Sequence, residues 1–78
     1  MAYESNAERE LAAATLHVDE ARRRIRTLTD LSRRCPSPEG EQLLHCLHEA
    51  LHTMLVHRYF VAQEVEAQRK AMLKKARE

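Results

Sequence analysis

Four of the chain's five histidines fall between residues 45 and 57, and three of them have spacings that a metal site on a helix can use. His48 and His52 are four residues apart, so on a helix their imidazoles share one side, and His45 lies one turn earlier. A zinc site takes three or four ligands, and no CxxC pair accompanies these histidines. We therefore expect no metal cofactor and interpret the stripe as a half-exposed helix flank; a metal carrier using His45, His48 and His52 stays open as an alternative.

Other kinds of chemistry have weaker candidates. The stretch ARRRIR, residues 21–26, could contact a nucleic-acid backbone, but it carries no interleaved aromatic or amide residues for reading bases. The sequence has no glycine loop for phosphate and no serine in a nucleophile elbow. We expect neither an enzyme nor a nucleic-acid-binding protein.

The composition predicts an all-α protein. The 78 residues include one Gly and two Pro, and only 4% are aromatic, whereas 32% are charged. Such a composition is typical of helices and coiled coils. The charged residues form four blocks of alternating sign, acidic in 1–20 and 35–57 and basic in 21–34 and 58–78.

The order of elements follows from two interruptions of helical periodicity. Ser5 to Glu8 fits a capping box, which predicts helix 1 over about 6–34. Pro36 disfavours helix at the residue before it, whereas Ser37 can cap a second helix that has Pro38 at its first position. We predict a turn at 35–37, helix 2 over about 38–75, and a single helical-hairpin domain of residues 1–78.

A short turn makes two long helices antiparallel neighbours, and this arrangement also sets charge blocks of opposite sign side by side. The basic stretch 22–34 then lies beside Glu39, Glu41 and Glu49, and the acidic stretch 4–20 lies beside Arg58, Arg69 and Lys70. We predict a coiled-coil-like antiparallel hairpin. Its apolar seam would pair the following layers: Leu28 with Leu43 and Leu44, Ile25 with Leu47, Ala21 with Leu51, Val18 with Met54, and Leu11 with Val61. Helix 2 would carry the same apolar face onward to Met72 and Leu73.

A single seam in so short a chain is marginally stable, so we expect a partner or dimerisation to complete it. Several apolar residues fall outside the seam on helical geometry, and clustered apolar surface is typical of docking sites. We predict partner contact for Ala13, Leu16, Leu31, Val56, Tyr59 and Phe60.

The chain is also expected to be cytoplasmic. Its first ten residues are polar and acidic rather than basic and then apolar, as a secretory signal would be, and no apolar run is long enough to span a membrane. In a reducing compartment Cys35 and Cys46 would stay thiols.

The spacing of Leu16, His17, Glu20, Ala21, Ile25 and Leu28, and the Arg58-Tyr59 ending of a leucine-rich stretch, carry a family likeness over roughly residues 8–62. In these residues the chain resembles the YscE/SsaE/EscE family of type III secretion co-chaperones. The resemblance implies a cytoplasmic protein of a bacterial virulence apparatus that pairs with a larger TPR-like chaperone. Together the two would keep the needle subunit, or another secreted subunit, unpolymerised before export.

An alternative is a homodimeric adaptor or regulatory protein, in which two hairpins form a four-helix bundle. In that case Val56 and Phe60 would lie in the dimer interface, and Rop-like RNA binding through Arg22 to Arg26 would be a less favoured use of the basic face.

Overall fold

A computed structural model describes residues 6–77 of the chain, which form two helices and no strand. Helix α1 spans Asn6–Arg34 and helix α2 spans Pro38–Arg77. The longest dimension of the molecule is 62 Å, which the 40 residues of α2 account for at a rise of about 1.5 Å each. The predicted all-α hairpin is confirmed. Ser5, the predicted cap of helix 1, lies outside the described residues.

The turn between the helices is made by serine and proline as the sequence predicted. The Cys35 amide donates to the Leu31 carbonyl over 2.8 Å and ends α1, and Pro38 is the first residue of α2. The Ser37 hydroxyl accepts a hydrogen bond from the Gly40 amide at 3.0 Å. This is an N-cap, which satisfies one of the donors that a helix start leaves without an internal acceptor.

Gly40, the only glycine in the chain, lies where two hydroxyl groups approach the backbone. A Cβ atom there would lie 3.0 Å from Ser37 Oγ and 3.2 Å from Ser32 Oγ. The missing side chain therefore leaves room for the capping hydroxyl and for the last turn of α1.

The buried core is narrow and consists of small residues. Val18 has an exposed fraction of 0% and is the only fully buried larger side chain among the residues described. The buried residues in the described part of the chain are Ala7, Ala14, Val18, Ala21, Ile25, Val61 and Val65. The leucines at the predicted layers of helix 2 are only half-buried or exposed, because a two-helix seam covers each helix from one side.

The predicted seam is less buried than expected at Leu43, and it ends before Met72 and Leu73, which were predicted on the same face of helix 2. Leu43 is 51% exposed, since it lies at the edge of the seam near the turn and packs on one side only. Met72 and Leu73 are also exposed, as is every described residue from Glu66 to Arg77. The reason is length: α2 has 40 residues and α1 has 29, so α2 continues about 16 Å beyond the described start of α1.

Contacts between charged groups show the antiparallel arrangement directly. His57 Nε2 lies 3.7 Å from Glu10 Oε1, and Arg69 Nε lies 4.0 Å from Glu8 Oε1. The acidic start of α1 therefore lies beside the second half of α2, as predicted.

The opposite end of the hairpin behaves differently. Within residues 6–77, no ion pair joins the arginines of α1 from residue 22 to residue 34 to Glu39, Glu41 or Glu49. The two charge blocks are neighbours at this end of the hairpin, and salt screens the attraction between exposed charges that are not in contact.

Candidate interaction surfaces

The outer face of α2, which we define as Val56, Tyr59 and Phe60, presents the largest exposed apolar groups in the middle of that helix. Their exposed fractions are 43%, 61% and 64%. The two rings touch edge to face, with centroids 5.7 Å apart and planes at 76°. At about 100° per residue, the three side chains lie roughly 100° to 160° around α2 from buried Val61. Such a cluster of aromatic and branched side chains is typical of a protein interface.

The six residues predicted to contact a partner are all exposed, including Leu16 and Leu31 at 54% each, but they do not form one continuous face. Ala13 and Leu31 line grooves between the helices, whereas the outer face of α2 lines neither groove. Leu16 lies on the side of α1 that faces away from the seam, about 160° around the helix from Val18. The predicted set therefore divides between different sides of the hairpin.

Two grooves follow one flank of the hairpin, and we call this surface the groove flank. The turn-end groove, of about 430 Å³, has an apolar floor of Leu28, Leu31, Leu43 and Leu47 beside Arg23 and Arg24. The middle groove, of about 320 Å³, is lined by Ala13, Ala14, His17 and Met54, with Glu10 and His57 at its rim. Leu43, expected in the seam, is thus a wall of the turn-end groove. This surface was not predicted from the sequence, although the apolar Leu28 and Leu31 on α1 and Leu43 and Leu47 on α2 were its signal.

The histidine stripe lies on an exposed part of α2. His45 Nε2 contacts Glu49 Oε1 at 3.1 Å, and both side chains are mostly exposed. Within residues 6–77, no three His, Cys, Asp or Glu side chains come together as a group that could hold a metal ion.

This stripe also contains a motif that was not predicted from the sequence. Residues 48–52 read HEALH and match the HExxH pattern, in which two histidines on one helix bind zinc and the glutamate is the general base of a metalloprotease. That chemistry also needs a third ligand and a substrate cleft. Here Glu49 contacts His45, and the part of the chain that the structure describes supplies no third ligand to His48 and His52. The motif therefore offers a two-histidine pair on an open helix surface.

The two cysteines are free and exposed thiols, and Cys46 lies beside Leu43 in a shallow depression at the start of α2. Neither helix, within the residues described, has an apolar segment of the length needed to cross a bilayer.

Comparisons with protein-family models, with curated proteins and with solved structures find no match to this chain.

Proposed function

We propose that the chain is a small co-chaperone that docks on a larger helical-repeat protein through the outer face of α2. Following its resemblance to the type III secretion co-chaperones, the partner would be a TPR-like chaperone, and the complex would keep the needle subunit or another secreted subunit unpolymerised in the bacterial cytoplasm. The observation that carries the proposal is the exposure of Val56, Tyr59 and Phe60 on consecutive turns of one helix.

The thin core supports the same function. Among residues 6–77 the buried side chains are three alanines, three valines and one isoleucine, so this hairpin covers little apolar surface by itself. A partner that binds the folded hairpin and not the unfolded chain stabilises it in proportion to the logarithm of its concentration over Kd. A concave helical-repeat surface suits a rod of this shape, since it can bury one long side of α2.

Tyr59 and Phe60 are the expected centre of the interface. Aromatic residues dominate binding energy at protein interfaces because they bury large areas with few rotatable bonds. The two rings already contact edge to face in the free hairpin, and an arrangement that is present before binding reduces the ordering cost on association.

Co-expression with a TPR-like type III secretion chaperone, followed by co-purification, tests the proposal. The expected result is a one-to-one complex. Phe60→Glu should weaken it about tenfold or more, because a carboxylate would replace a ring that the complex buries. Gln68→Glu is the matched control, since it adds the same charge at an exposed site about 12 Å further along α2. Equal loss in both variants, or no complex with the wild-type chain, would overturn the proposal.

Thermal unfolding followed by circular dichroism gives a second test. The chaperone should raise the Tm of the hairpin, and Phe60→Glu should abolish that rise without lowering the Tm of the free hairpin. A free hairpin whose Tm is already high and does not move with the chaperone would contradict the proposal.

A further inference from the structure

One stripe of α1, exposed except at half-buried Glu20, has the spacing of a helix-pairing seam although α2 packs elsewhere. Its members recur at alternating intervals of four and three residues, as contact positions of paired helices do. The stripe consists of Ala13, His17, Glu20, Arg24, Thr27 and Leu31. Its first two residues line the middle groove and its last three line the turn-end groove, so the whole stripe lies on the groove flank.

This stripe is complementary to the same stripe of a second copy that runs antiparallel to it. In an antiparallel pairing about residue 22, Ala13 meets Leu31, His17 meets Thr27, and Glu20 meets Arg24 of a second copy. A small residue thus faces a large one, and an acid faces a base. We propose that two copies of this chain pair through their groove flanks, with α1 antiparallel to α1 about a two-fold axis near residue 22.

The charges of the stripe support a second copy as the occupant. Within residues 6–77 neither Glu20 nor Arg24 makes an ion pair, although the two are one turn apart on the same helix. Two-fold symmetry would form the Glu20–Arg24 pair twice. It would also set the acidic first half of α1 against the basic second half of its copy, whereas a parallel pairing would bring like charges together.

Helix α2 indicates the same axis independently. The residues of α2 that line the two grooves are Leu43, Leu47, Met54 and His57. Helical spacing places the exposed alanine Ala50 between them on the same side of α2, again at intervals of four and three. Within one hairpin, Leu31 shares a groove with Leu43, and Ala13 shares a groove with His57. Residue 22 of α1 therefore lies across from about residue 50 of α2. A single two-fold axis can therefore pass near residue 22 of α1 and near Ala50 of α2. The small side chain of Ala50 permits close approach of the two copies there.

The contact is large enough for a dimer of modest affinity. The stripe from Ala13 to Leu31 is about 27 Å long and the flank is about two helix diameters, or 20 Å, wide. The projected area is then roughly 540 Å² per copy, and twice that lies near the lower limit for a specific interface. The outer face of α2 lines neither groove, so this dimer is independent of the proposed chaperone contact.

Sedimentation equilibrium of the full chain with exchanged charges tests the pairing. Glu20→Arg and Arg24→Glu should each weaken the dimer about tenfold or more, because each variant sets like charges together at two symmetric places. The double variant Glu20→Arg/Arg24→Glu should restore the wild-type Kd, since it rebuilds both pairs with exchanged partners. The matched control is Asp19→Arg/Arg26→Glu, whose positions lie about 120° and 140° around α1 from Leu31 and should leave the Kd unchanged.

A cross-link tests the axis itself. Ala50→Cys in a Cys35→Ser/Cys46→Ser background should oxidise to a dimer, because residues on the axis approach within the roughly 6 Å that a disulfide spans between Cα atoms. His52→Cys in the same background is the control and should stay monomeric under the same oxidant.

Three results would overturn the proposal. The first is a chain that stays monomeric at millimolar concentration. The second is a dimer in which the double charge variant shows no rescue. The third is a dimer that Phe60→Glu splits, since that result would place the interface on the outer face of α2.

Discussion

His57 Nε2 on α2 lies 3.7 Å from Glu10 Oε1 on α1, and this contact joins residues 47 positions apart in the chain. It shows the antiparallel direction of the hairpin, because it places residue 57 of α2 beside the first turns of α1. Both side chains are more than half exposed, at 57% and 52%, so water screens their attraction.

We predict that this contact contributes little to stability. A double-mutant cycle with Glu10→Gln and His57→Gln should give a coupling free energy below about 1 kcal/mol, as exposed pairs do. Urea denaturation at constant protein concentration measures it. A coupling free energy several times larger would mean that the pair is far less hydrated than its exposure indicates.

The core should depend on Val18. Val18→Ala removes two buried methyl groups and leaves a cavity, so the free energy of unfolding should fall by about 2 kcal/mol. Val56→Ala makes the same chemical change at a residue that is 43% exposed, and there the loss should be under about 1 kcal/mol. Urea denaturation followed by far-ultraviolet circular dichroism compares the two, and equal losses would contradict the seam described above.

The cap of α2 should be replaceable by another oxygen acceptor. Ser37→Ala removes the acceptor of the 3.0 Å bond from the Gly40 amide and should reduce the free energy of unfolding by about 1 kcal/mol. Ser37→Asp should stay within a few tenths of a kcal/mol of the wild type, because aspartate is an equally good N-cap. If the aspartate variant were as unstable as the alanine variant, loss of the hydrogen bond would not explain the lower stability of Ser37→Ala.

The C-terminal part of α2 should be dispensable for the hairpin. Every described residue from Glu66 to Arg77 is exposed, so a chain ending at Lys70 should keep its Tm within a few degrees of the full chain's. A chain ending at Glu64 also loses buried Val65 and should melt markedly lower. A large fall in the Tm of the chain that ends at Lys70 would show that residues after 70 pack against part of the protein.

Zinc binding should be weak. His48 and His52 offer two imidazoles where a stable site needs three or four ligands, so equilibrium dialysis at neutral pH and micromolar zinc should retain no stoichiometric metal. His48→Ala/His52→Ala is the control for any metal retained elsewhere on the chain. One zinc per chain in the wild type and none in this variant would establish a metal site at the HEALH motif.

Several features of the hairpin could be predicted from single residues because their causes are local. Pro36 and Pro38 restrict the backbone next to them, and Ser37 caps the helix three residues before Gly40, so the turn is readable without a fold. The exposure of the outer face of α2 was also predictable, since helical geometry alone places Tyr59 and Phe60 away from Val61.

The interaction surfaces were only partly predictable. Ala13 and Leu31 were predicted as partner contacts, but the grooves they line also include Met54 and Leu43 from the other helix, which were not. Which residues of α2 lie beside a given residue of α1 depends on the register of the pair, and local periodicity contains no information about it.

The amino-acid sequence by itself determined two helices, their turn and their antiparallel direction, because propensity, capping and short connections act within a few residues. Only the tertiary structure decided that Val18 is fully buried while Leu43 is half exposed, although both lie on predicted apolar faces. Two cylinders meet along one line, so burial depends on distance from that line in three dimensions. That distance is set jointly by both helices, and it leaves the groove flank and the outer face of α2 open to other molecules.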